Sequence, residues 1–195
     1  MVLMVGVDPV AVEADLVAGR LVCPDCGARL APWGNGRDRE LRSRAGDRRF
    51  RPRRSICAGC GTTHVLLPDD SLLRRRDAVA DIGGAAAAHA AGAGHRRIAK
   101  GLGLERGTVR GWLRRFEALA GRVREHFTRW AVALDPMLGP IRPAGSAFAD
   151  AVEAVGVAAA AAVRRLGPCE PWRFASAATS GRLLSNTSRP WPGPP

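Results

Sequence analysis

Between His95 and Phe116 apolar side chains fall every three or four positions, and arginines fill the intervals. Ile98, Ala99 and Leu102 share one face of a short helix. Gly103 then ends it, in the left-handed conformation that glycine adopts without a Cβ penalty. Val109, Trp112, Leu113 and Phe116 predict a second helix with one core-facing stripe, and its other side carries Arg106, Gly107, Arg110, Gly111 and Arg114. A helix held from behind by a small core, with a basic face thinned by two glycines, has the form that enters a major groove. The plain alternative is a helical hairpin with a solvated arginine face.

The periodicity runs on through Ala120, Val123, Phe127, Trp130 and Leu134, a seam of three heptads. Such a seam either makes a homodimer or packs on the chain's own C-terminal helix, and Gly121 is a candidate break within it. That C-terminal helix is alanine-rich, expected within 144–167, with Phe148, Val152, Val155 and Val163 as anchors. Upstream, Val79, Ile82, Ala86 and Ala90 stripe a helix expected from about Leu72 to Ala91, capped by Asp70 or Ser71. Gly83 and Gly84 each cost it roughly 1 kcal/mol, which points to a kink or to close packing. Asp8-Pro9 opens a short N-terminal helix within 1–19, with Val12 and Leu16 as a lid on the adjoining module. Cys169 reads as a lone small apolar residue, and 181–195, ending PWPGPP, as a flexible tail.

Alternation replaces helical spacing between residues 20 and 68. Glu40–Arg44 and Arg48–Ile56 predict two strands joined at Ala45-Gly46-Asp47, with Pro52 on an edge and Thr62–Leu67 closing the sheet. The arginines of this hairpin either track a phosphate backbone or form a solvated face. Two CxxCG knuckles, Cys23-Pro24-Asp25-Cys26-Gly27 and Cys57-Ala58-Gly59-Cys60-Gly61, flank it. Each presents two thiolates on one side of a tight turn, and four thiolates close a tetrahedral zinc shell with no position left for water. One structural Zn²⁺ on Cys23, Cys26, Cys57 and Cys60 is therefore expected, although 30 residues separate the knuckles, more than the usual ~15–20. His64, a further potential donor, reads as a strand residue because four thiolates suffice.

Charge sharpens this picture. The net charge is +12. Arg37–Arg54 holds nine arginines against three acids and His95–Phe116 seven bases against one, so each window contributes +6 and the remainder sums to zero. Positive charge gathered in two patches suits a polyanion. Lys100 is the only lysine, so arginine usage by itself says nothing about bidentate contacts. No stretch reads as an export signal or a membrane span, which makes a cytoplasmic location the expectation and cysteines there metal ligands before disulfides.

The run IAxxLGxxxxTVxxWLxxF, Ile98 to Phe116, resembles the homeodomain-like helix-turn-helix of bacterial recombinases and transposases. Gly94 and Glu105 stand at the two caps where that pattern often has Ser, or Ser or Asp. The whole order from Leu16 to Pro136, and more weakly GRLLSNTS from Gly181, resembles an uncharacterised family of small bacterial zinc-ribbon proteins found beside mobile-element integrases. That resemblance implies a role in transposition or its regulation.

The expected fold is mainly α with a small β zinc ribbon: a ribbon at 20–68, a three-helix helix-turn-helix module at 71–134, then C-terminal helices. Arg106, Arg110 and Arg114 are the candidates for base edges, and Arg96, Arg97, Lys100, Thr108 and Arg115 for phosphates. Double-stranded DNA is the expected partner, a transposase or integrase a further one, and a membrane is not. No catalytic residues are assigned. A compact transposase would need carboxylates converging from a sheet, whereas Asp135, Asp150, Glu153 and Glu170 lie in linker or helical sequence. An adaptor that docks an integrase through its ribbon is the other alternative.

Overall fold

A computed structural model describes residues 1–185 and 190–194. Among these the chain is mixed α/β, with six helices and two small sheets. The strands are β1 (Val2–Val5), β2 (Leu30–Asn35), β3 (Arg39–Leu41), β4 (Arg48–Phe50), β5 (Arg53–Cys57) and β6 (Thr63–Pro68). The helices are α1 (Pro9–Val17), α2 (Val79–Ala90), α3 (His95–Leu102), α4 (Arg106–Leu134), α5 (Ala147–Leu166) and α6 (Pro171–Ala178).

The larger sheet has the order β1-β6-β5-β2, and β3 pairs with β4 in a separate hairpin. β1 runs parallel to β6, Val2 opposite Val65 through Val5 opposite Pro68. Alternation did not point to β1, because VLMV is apolar throughout and its pairing partner lies far along the chain. The expected strand Arg48–Ile56 is broken at Pro52, which lacks a donor and ends one pairing before the next begins. Pro52 is buried in the link between β4, an edge strand of the two-stranded hairpin, and β5, an interior strand of the larger sheet, and its carbonyl accepts from Gly36 N–H at 2.7 Å.

α1 begins with the expected cap, Asp8 accepting from Val10 N–H at 2.9 Å. Val12 and Leu16 join Cys23, Leu30, Cys57 and Leu66 in a small core around the cysteines. The helices from α2 onward, with Leu72, share a second, larger core.

α2 starts seven residues later than expected, at Val79, and neither Asp70 nor Ser71 caps it. Ser71 donates its hydroxyl to Pro68 O, and Asp70 pairs with Arg48. The intervening 72–78 is held by long-range bonds: Leu73 N–H donates to Gly181 O and Arg75 to Leu184 O. Gly83 marks close packing and no kink, since a Cβ there would lie 1.9 Å from the Trp172 ring of α6. Gly121 does not break α4, which is continuous over 29 residues. Leu113, Phe116, Ala120, Val123 and Phe127 of the seam are buried within the chain, where α4 lies along α5, whereas Trp130 and Leu134 are only half-buried. On α5 the contact face consists mostly of alanines, including Ala151, Ala154, Ala158 and Ala162, while the expected anchor Val163 is 39% exposed. Small side chains let two helices approach closely, and alanine also has the highest helix propensity.

α6 was not expected. Glu170 caps it through Trp172 N–H and Arg173 N–H, and Pro171 occupies its first position. Residues beyond it are not a free tail where described. Gly181, Leu183 and Leu184 are buried, and Trp191 packs on Arg122 and His126 of α4. Residues 186–189 and 195 of the expected tail lie outside the described part of the chain. Cys169 is exposed and so does not act as a buried apolar residue. Among the described residues no helix is long and apolar enough to cross a membrane.

Candidate metal centre and nucleic-acid interface

The two knuckles are built alike. Cys23 N–H donates to Ala28 O and Cys57 N–H to Thr62 O, while Gly27 and Gly61 N–H return to the carbonyls of Cys23 and Cys57. Gly27 has φ 72° and Gly61 φ 70°, a backbone conformation that strains any residue with a Cβ. β5 delivers Cys57 from within the sheet, and the adjacent turn supplies Cys60.

All four Sγ atoms lie within 4.8 Å of one another. Cys23 and Cys60 are 3.8 Å apart and Cys26 and Cys57 3.4 Å. A tetrahedral ion with ~2.3 Å metal–sulfur bonds would separate its ligands by about 3.8 Å, so the cluster is close enough to hold one metal ion. The thiols cannot all ionise unaided at these separations. Hydrogen bonds from the Thr62 hydroxyl and backbone bring Cys60 down to about 6. Cys26 is favoured as a thiolate by Ala28 N–H, yet its contacts to the other cysteines, Cys57 foremost, push it up to about 12. A bound cation removes that conflict by compensating the negative charge.

His64 belongs to this centre more closely than its strand position suggests. It is fully buried, with Nε2 3.5 Å from Cys23 Sγ. Burial, then the N-terminal ammonium, lower its pKa and favour the neutral ring. A neutral imidazole at that distance can donate to a ligating thiolate and orient it. Period-two alternation carried the signal: His64 shares its face of β6 with Leu66, which lies in the cysteine core.

The basic residues gather around α3 and α4. Gly94 and Glu105 occupy the two N-cap positions, and neither makes a side-chain cap bond. Gly103 closes α3 at φ 65°, and Leu104 N–H reaches back to Ala99 O at 3.0 Å. Ile98, Ala99, Val109, Trp112, Leu113 and Phe116 are buried on the inner side. Arg96, Arg97, Lys100, Arg106, Arg110 and Arg114 lie on the outer side, and none has a carboxylate partner among the described residues. Thr108 and Arg115 are half-buried on another flank of α4. Arg115 donates to Gly111 O at 3.1 Å and lies close enough to Arg75 to depress its pKa, after burial. It therefore stands apart from the Arg106–Arg110–Arg114 row.

Four of the nine arginines of 37–54 are in a different condition. Arg42 pairs with Asp77, Arg48 with Asp70, Arg51 with Asp38 and Arg53 with Glu13, the last through two bonds of 2.6 and 2.8 Å. Of the acids weighed for chemistry, Asp135 pairs with Arg164, Asp150 with Arg124, Glu170 caps α6, and Glu153 is exposed on α5. Among the described residues, only the cysteine centre and its His64–Asp25 flank gather three or more potential metal ligands. Compared with protein-family models, curated proteins and solved structures, the chain matches none of them, so its residues alone carry the functional reading.

Proposed function

We propose that the chain is a sequence-specific, duplex-DNA-binding protein in which α3 and α4 act as a helix-turn-helix and a structural Zn²⁺ on Cys23, Cys26, Cys57 and Cys60 holds the β part together. One observation carries the reading: the start of α4 has its apolar side sealed in a core while Arg106, Arg110 and Arg114 stand exposed and unneutralised. Arginines spaced by four on a rigid helix can address successive guanines, each bidentate pair giving ~1–3 kcal/mol of discrimination. Arg96, Arg97, Lys100, Thr108 and Arg115 supply phosphate contacts that set register. Four closed thiolates suit a structural ion, since water has no place on the metal. Of the four acids weighed, Asp135, Asp150 and Glu170 are engaged in pairing and capping, which leaves Glu153 on its own and supports a non-enzymatic role. A setting in transposition or its regulation rests only on the resemblances of the Ile98–Phe116 run and of the element order.

Selection from a random duplex library with the zinc-loaded protein tests this directly. A motif should emerge, Arg110→Ala should relax one position of it, and Arg96→Ala should weaken every duplex alike. Equal losses on all sequences for both variants would refute the division of roles. The adaptor reading has one observation in its favour, a groove of about 290 Å³ between Val5, Val7, Pro9 and Val12 on one side and Phe50 and Pro52 on the other, lined also by Arg48, Arg49, Arg51 and Arg53. Under that reading the selection enriches nothing.

A further inference from the structure

The β3–β4 hairpin does not project freely from the cysteine module; it is tied to the segment before α2 and to α2 itself, which packs beside the basic helix α3. Arg42 N–H donates to Arg76 O at 2.6 Å, and Ala78 N–H returns to Arg42 O at 2.9 Å. The Arg42 guanidinium lies 2.7 Å from the buried Asp77 carboxylate, and Leu41 is buried. Just beyond, Arg44 N–H donates to Asp81 of α2 at 3.0 Å. The turn itself is tied by Ser43 N–H to Asp47 at 3.1 Å and Gly46 N–H to Ser43 O at 2.9 Å. Backbone and side-chain bonds of this kind fix where the tip points relative to α2.

That position brings the two charge patches together. Arg44 of the hairpin and Arg97 of α3 line one open groove of about 400 Å³, which Gly84, Ala88 and Gly101 also line. Asp81, the acid in that groove, is already engaged by Arg44 N–H. The register pairs Leu41 with Arg48 and Glu40 with Arg49, so Arg49 occupies the face opposite the buried Leu41 and points outward. Glu40 on that face is directed to Arg76 at 3.4 Å. Arg44 and Arg49 are exposed and have no carboxylate partner among the described residues, unlike Arg42, Arg48, Arg51 and Arg53.

We infer that the hairpin is a second phosphate-binding element, in which Arg44, from the groove it shares with Arg97, and Arg49, on the exposed face of the hairpin, hold the DNA backbone. This rests on the duplex reading of α3 and α4 and adds residues to it. The arginines paired with acids shape the hairpin, whereas Arg44 and Arg49 meet the ligand. Contacts of this type position the protein and carry no sequence information.

The test uses the whole 195-residue, zinc-loaded chain and two duplexes, the selected motif and a scrambled one, titrated across a salt series. For Arg44→Gln/Arg49→Gln the magnitude of the salt slope should fall by about 1.8, and both duplexes should weaken roughly thirtyfold at 0.15 M salt. The selected motif should not change. Shortening the duplex until it covers only the α4 site should abolish the difference from wild type. Retained metal content and helical signal show that the variant is folded. Wild-type slope and affinity in the double variant would overturn the inference; if Arg110→Ala still relaxes the motif, the helix-turn-helix reading survives alone. Absence of any duplex binding by the wild-type chain would overturn both.

Discussion

Gly83 and Gly84 are neighbours with opposite duties. A Cβ on Gly83 would fall into the face of the Trp172 ring, 1.9 Å away, whereas Gly84 has open space around its missing side chain. Gly83→Ala should therefore cost roughly 3 kcal/mol through overpacking, and Gly84→Ala should gain roughly 0.5–1 kcal/mol from helix propensity. Denaturant titration of the two variants checks both signs, and destabilisation of similar size in each would contradict the contact. The sequence alone shows two glycines in a helix and a Trp far along the chain. Nothing local says which glycine meets the ring. The four cysteines differ in this respect, because spacing within each knuckle already puts two thiols on one side of a turn, and only the meeting of the two knuckles needs the fold.

At the scale of elements, α4 does more than carry its arginine row. His126, further along the helix, is buried and its Nε2 lies 3.1 Å from Ala178 O at the end of α6, with Trp191 against its ring. Burial lowers its pKa, and Arg129 and Arg122 add to that against the hydrogen bond to Ala178. The folded state thus prefers the neutral ring, and the unfolded chain binds the proton more readily. Stability linked to His126 is complete above its unfolded pKa of about 6.5 and declines as pH falls towards the lower folded value. Melting temperature should drop between pH 7 and 5, and His126→Gln, which can keep a donor to Ala178 O, should flatten that drop. An unchanged pH profile would remove His126 as a contributor. The helical stripe of α4 was legible because its repeat spans many turns. α6 was not, since eight residues hold too few turns to display a period and its Trp, Phe and alanines make sense only against α2 and α4.

For the molecule as a whole, two cores meet along 69–78. Asp69 receives two bonds from Arg173 of α6, at 2.8 and 3.2 Å, and Ser176 donates to Ser71 O at 2.7 Å. The core beside α1 is small and contains two of the cysteines, whereas the helical core draws on α2 to α6. Stripping the metal with a chelator should consequently melt the β part first and leave most of the helical circular-dichroism signal. Cys57→Ser should reproduce this. A single cooperative loss of all structure would show instead that the helices depend on the metal centre.

Residue order was enough to determine the paired knuckles, the Gly103 turn and the two-sided character of α3 and the start of α4. Each is set by dihedral preference or by a period repeated within a few residues. The parallel pairing of β1 with β6, the entry of Leu183 and Leu184 into the core, the contact of His64 with Cys23 and the seating of the arginine hairpin beside Arg97 depended on tertiary structure. Those partners lie tens of residues apart, and no local preference distinguishes them from their neighbours. Burial and geometric fit select them only once the chain has folded.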